Sequence, residues 1–266
     1  MKLFRTSDGT ALNYRSMGHG EPIIMIHTIH MNHTVFEDIA KRLSRYYQVI
    51  LIDLRGHGYS DKPLKIAFNT FAQDINELME FLYLKSSMIV ANELGSVVAM
   101  DLAVHYPDKV TELVLINPTA SNDLLPKERL FLKYAEKIRT WDKADQEQFF
   151  EKHLYYAKSK VRKFLKGIDN SAELLTDYEQ RAVDSAFKSV DIKQLTLQVT
   201  KPTLVIAGNA NERVTPIESK DVADLIPNSE FHIFKKSGVY PFVEEKERFL
   251  KTLKAFTKNK VKDNVL

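Results

Sequence analysis

The chain contains no cysteine, which removes thiol nucleophiles, thiolate metal centres and disulfide frameworks. Glycine is scarce too, with 9 in 266 residues, roughly half the usual share. No apolar run approaches the roughly 18 residues of a membrane span, and the opening MKLFRTSDGT has no apolar core of a secretion signal. Neither sign of charge dominates. With 38 basic against 35 acidic residues the net charge is +3, which gives no reason to expect nucleic acid. The lysine-rich end, Lys251 to Lys262, reads as a solvated helix face. The expectation is a cytoplasmic chain with no membrane, nucleic-acid or cofactor partner. What is present, 44% hydrophobic and 27% charged residues, is ordinary globular composition, and the length suffices for a core that needs neither disulfide nor metal.

Short apolar runs alternate with helical patterns. Leu3 to Thr6 and Ala11 to Ser16 flank Ser7-Asp8-Gly9-Thr10, a hairpin signal. Further strands are expected at 22–27, 48–53, 87–91, 112–116, 202–207 and 231–234, and helices at 35–46, 95–105, 217–225 and 242–257. Continuous apolar strands suit a parallel sheet covered on both faces. From about 122 to 198 the strand signal disappears, and 130–141, 145–158 and 171–189 carry helical spacing. The fold class is therefore α/β: a mostly parallel eight-stranded sheet flanked by helices. Residues 1–120 and 200–266 form its core, and 121–199 a helical lid.

Asp53-Leu-Arg-Gly-His-Gly-Tyr-Ser-Asp-Lys-Pro63 resembles the loop after the fourth strand of α/β-hydrolase proteins. The resemblance extends over nearly the whole chain. Ala91-Asn92-Glu93-Leu94-Gly95 aligns with the family's nucleophile elbow, Gly208 to Pro216 with its acid loop, and Ser237-Gly-Val-Tyr-Pro241 with its histidine loop. The lidded, epoxide-hydrolase and enol-lactonase-like branch is the most similar. The elbow is normally G-x-S-x-G; here Glu93 stands at the serine position. Asn211 stands where the acid belongs and Val239 where the histidine belongs. Serine-hydrolase activity is expected to be absent, because no base can deprotonate a serine and no acid can orient a base. Ser96 lies one helical turn past the elbow and is expected to point away from it.

The resemblance also places the backbone amides of Ile29 and Leu94 in the oxyanion-hole region, with Thr28 in place of a glycine. His27 is expected to be structural, and His30 and His33 to face either cavity or solvent. Glu93, His30 and His33 permit the idea of a metal site, although none is expected. Glu93 has three readings: a carboxylate nucleophile, a general base with raised pKa, or an inert anchor bonded to a ligand, to Asn211 or to Tyr240. Arg213 is the one cation in these loops; if it turned inward, it would pair with Glu93. Tyr155 and Tyr156 are expected side by side on a lid helix. The function expected is binding of a small, partly apolar molecule between core and lid, with His27, His30 and Tyr240 lining the site. A hydrolase or lyase using Glu93 is the alternative.

Overall fold

A computed structural model describes residues 2–121, 123–169 and 175–263. The strands are β1 (Lys2–Arg5), β2 (Ala11–Met17), β3 (Pro22–Ile26), β4 (Gln48–Ile52), β5 (Ser87–Asn92), β6 (Val110–Ile116), β7 (Thr203–Gly208) and β8 (Ser229–Phe234). They form one eight-stranded sheet in the order β1-β2-β4-β3-β5-β6-β7-β8. The β1–β2 and β2–β4 pairs are antiparallel and the rest parallel.

Alternation along the parallel strands splits the core in two. Ile24, Ile26, Ile50, Ile52 and Ile89 pack on one face, under α2 (Asn69–Phe81) and α3 (Gly95–His105). Ile23, Met25, Val49, Leu51 and Val90 pack on the other, under α1 (Glu37–Leu43) and, past the short α10 (Pro241–Glu244), α11 (Lys246–Asp263). Helix α9 (Pro216–Leu225) covers β7 and β8. Helix α2 is not among the expected elements, although Phe71, Ile75, Leu78 and Met79 recur at helical spacing and are buried. No described helix is long and apolar enough to cross a membrane.

Between β6 and β7 come α4 (Pro126–Ile138), α5 (Lys143–Leu154), α6 (Lys158–Leu165), α7 (Asp177–Lys188) and α8 (Ile192–Leu197). The helix expected over 145–158 stops at Leu154, because the chain extends at Tyr155 (φ −130°, ψ 134°), and α6 begins only at Lys158. The amides of Tyr156 and Ala157 turn instead to the Glu244 carboxylate, each at 2.9 Å. The first residues of the helix expected at 171–189 lie outside the described residues. Helix α7 is anchored by Phe187, whose ring lies 5.3 Å from Phe68 and 5.2 Å from Phe71.

Candidate functional site

The elbow is built by close packing. Strand β5 ends at Asn92, the chain turns at Glu93, and α3 starts at Gly95. Glu93 has φ +46°, a left-handed conformation that non-glycine residues adopt at a cost. Its N–H donates to the Ile116 carbonyl at 2.7 Å, and its own carbonyl accepts from the Ser96 N–H at 2.9 Å. Gly95 is obligatory: a Cβ there would lie 2.4 Å from the His27 carbonyl oxygen of β3's continuation. The Ser96 hydroxyl donates back to the Ala91 carbonyl at 3.3 Å, away from the turn.

Asn117, also left-handed at φ +50°, ties the two neighbouring loops together. Its side-chain oxygen accepts from the Gly208 N–H at 2.8 Å, and its amide nitrogen donates to the Val239 carbonyl at 3.0 Å. Gly208 and Gly238 leave so little room that a Cβ on Gly208 would sit 1.9 Å from the Gly238 carbonyl oxygen. The loops expected to carry acid and histidine are thus in backbone contact.

Asn211 does not bond Glu93. Its Oδ1 accepts from the Arg213 and Val214 amides at 3.0 and 3.2 Å, closing a turn that aims Arg213 inward. Arg213 then clasps Glu93 with two parallel bonds, Nε to Oε1 at 3.0 Å and Nη2 to Oε2 at 2.6 Å. The Glu93 side chain is 3% exposed and that of Arg213 19%. Burial works against the guanidinium charge, but Glu93 and the Tyr240 hydroxyl hold its pKa above the ordinary arginine value. The inward branch for Arg213 is therefore the one realised, and it replaces the expected partners Asn211 and Tyr240 with a cation.

Tyr240 is buried and stacks on Tyr155, ring centroids 6.0 Å apart, while Phe164 meets its edge at 5.2 Å. Burial pushes the Tyr240 and Tyr155 hydroxyls well toward the protonated form. Tyr156 is half exposed, so one tyrosine of the pair turns to the site, from an extended segment rather than a helix. Val239 is fully buried, and its N–H donates to the Leu154 carbonyl at 2.9 Å.

The histidines fall elsewhere. The buried His27 accepts from the Leu54 N–H through Nε2 at 3.1 Å, so Nδ1 carries the proton and donates to the Thr28 carbonyl at 2.7 Å. Burial pushes its pKa down, which suits a neutral structural ring. His33 packs on Asp53, 2.8 Å from its carboxylate, in a network with Asn13 and the Tyr59 amide. His30, left-handed at φ +59°, places Nε2 2.8 Å from Asp184 of α7. The Glu93, His30 and His33 grouping does not assemble, and no cluster suited to a metal occurs among the described residues. No partner for the Ile29 or Leu94 amide is found among the described residues.

The inserted helices are stitched onto these same loops. The Glu212 N–H donates to the His153 carbonyl at 2.8 Å. Its carboxylate takes Lys133 at 2.7 Å, the Tyr134 hydroxyl at 2.6 Å and His153 Nδ1 at 2.7 Å. Partial burial raises the Glu212 pKa, but those three donors win and hold it at about 2. A carboxylate depressed in the folded state stabilises fully above its unfolded pKa, about 4.3, and less as pH falls toward the folded value. Protease cutting within 126–197 should therefore increase as pH drops from about 4.3 toward 2, and Glu212→Gln should flatten that response; an unchanged profile in Glu212→Gln would assign the acid sensitivity elsewhere.

Sequence reasoning passed over Glu212 and Glu244, and met Asn117 only as a position where a relocated acid is missing. Nothing in their local sequence marks them, because their partners are distant in the chain.

The model of the family described as alpha/beta hydrolase fold matches residues 21–246. The AB hydrolase superfamily protein YisY of Bacillus subtilis is 27% identical over 95% of this chain and 97% of its own. Among solved structures, an esterase from Exiguobacterium antarcticum superposes with TM-score 0.81 at 22% identity, covering 96% of this chain and 98% of that one. The enol-lactonase from Burkholderia xenovorans gives TM-score 0.78 at 20% identity, covering 97% and 100%.

Proposed function

The chain belongs to the α/β-hydrolase family, and on that premise we propose that it is a binding member without serine-hydrolase chemistry, holding a small, partly apolar molecule between its sheet core and the helical lid 121–199. One observation carries this reading: both oxygens of Glu93, at the elbow, are engaged by Arg213. A bidentate guanidinium takes one lone pair on each carboxylate oxygen, fixes the group's orientation and draws off its negative charge, which makes it a poor nucleophile. An ester formed on Glu93 would also need an activated water, and Val239 cannot supply one. Binding requires room for the molecule and a few polar groups; Arg213, Tyr155 and Tyr240 are the polar groups gathered beside the elbow.

A fluorophosphonate probe followed by intact-mass analysis tests the reading. The expected result is an unmodified chain, and a stoichiometric adduct on any serine would end it. The rival is an enzyme using Glu93 as base or nucleophile. It is favoured by the left-handed φ of Glu93, since strain of that kind collects at reacting groups. Such an enzyme would lose turnover in Glu93→Gln.

A further inference from the structure

Helix α7 meets the sheet core in two kinds of contact. Apolar ones come from Phe187, against the Phe68 and Phe71 rings, and from Val183, whose Cγ2 would lie 2.7 Å from a Cβ added to Gly56. The other is ionic. His30 Nε2, on the loop that follows β3, stands 2.8 Å from Asp184 Oδ1 of α7, with the two side chains 25% and 22% exposed. Both atoms are buried, and neither makes a hydrogen bond. Close approach without hydrogen-bond direction leaves charge as the attraction, and an imidazole carries charge only when protonated.

The groups around His30 leave Asp184 as its counter-charge. From the loop after β4, His57 lies close enough to feel a charge on His30, and His27 stacks edge-on to His57 at 5.0 Å. Burial pushes the pKa of both rings down, so neither brings a second positive charge. His33, on the same loop as His30, is taken up by Asp53. On α7 itself, Arg181 lies over the Tyr178 ring at 4.7 Å and Lys188 pairs with Glu128 of α4. His30 also holds a left-handed φ of +59°, a conformation that surrounding contacts must maintain.

We infer that His30 and Asp184 form a proton-operated latch, which fastens α7 to the loop carrying Ile29 while His30 is charged and releases it as that proton leaves. The latch stands whether the elbow binds or catalyses. A histidine that gains an acidic partner favours the fastened form on the acid side, and the gain is lost as pH rises through the imidazole range. Glu212 works in the opposite sense, since its hold on α4 and α5 weakens only as pH falls toward 2.

Hydrogen exchange on the full chain tests this, read as protection of the 177–188 amides between about pH 5 and 8 and corrected for the intrinsic pH dependence of exchange. Wild-type protection should fall about threefold across that range, the size of a partly exposed pair, while α2 keeps its protection. His30→Gln and Asp184→Asn should each flatten the profile at the alkaline level, and the double substitution should add nothing to either. Asp184→Asn, nearly isosteric, carries the test if His30→Gln does not fold. A flat wild-type profile, or a fall that survives in Asp184→Asn, would overturn the latch. An equal fall in α2 would overturn it too, because it would report general loosening rather than release of α7.

Discussion

Glu93→Gln should lower the stability of the folded chain by about 3–5 kcal/mol, because it strands the largely buried Arg213 charge. In a protein of this size that is a fall in melting temperature on the order of 10 °C. The argument turns on geometry rather than on the worth of ion pairs in general. Exposed pairs such as Lys143 with Glu147 contribute little. Glu93 and Arg213 are withdrawn from water and joined by two bonds, so each is the other's chief compensation. Arg213→Met should cost a similar amount, leaving an unpaired carboxylate at the elbow. The double substitution Glu93→Met with Arg213→Met should return to within about 1 kcal/mol of wild type, since a buried pair replaced by apolar groups is often neutral. Additive losses in that cycle would mean the two residues are stabilised separately. A neutral Glu93→Gln would show that Arg213 is satisfied without its partner.

Gly238→Ala is expected to loosen the helices inserted between β6 and β7. Its Cβ would lie 1.8 Å from the Leu154 carbonyl oxygen, and the obstacle is backbone, which cannot rotate aside. The bond from the Val239 N–H to that same carbonyl would be broken, and the Glu212 attachment one residue away would be strained. The cost should reach at least about 3 kcal/mol, the upper part of the overpacking range. Proteolysis should then start between 126 and 197 before the sheet unfolds. Gly167→Ala is the control: its Cβ would come no nearer than 3.4 Å to the Phe164 carbonyl oxygen, an ordinary contact. If both variants melted alike, the docking of α5 on the Gly238 loop would not be what holds the inserted helices.

Much of the framework is legible in sequence because it depends on local period. The run Pro22 to Ile26 is apolar at every position and so demands cover on both faces, which the two halves of the core provide. Helix ends set by distant partners are another matter. Asp145 to Lys158 has helical spacing throughout, yet α5 stops at Leu154 because its last turn and the amides beyond it bond to the Gly238 loop and to Glu244. At the site, the alignment of flanking motifs put Glu93 on the strand-to-helix turn, where the structure has it. The identity of its partner was open, since an arginine two residues past Asn211 can face either way. The direction is decided by Asn211, whose side chain caps the amides of Arg213 and Val214. His30 shows the opposite case: its place in the loop suggested a site residue, and an acid from a helix remote in sequence draws it aside.

The most direct measurement is hydrolysis of p-nitrophenyl acetate and a short-chain lactone by wild type and Glu93→Gln under identical conditions, at a temperature where both are folded. With Glu93 held by Arg213 and valine at position 239, both proteins should stay at the buffer rate. Saturable turnover by wild type that disappears in Glu93→Gln would contradict the account, because it would make the paired glutamate a catalytic group.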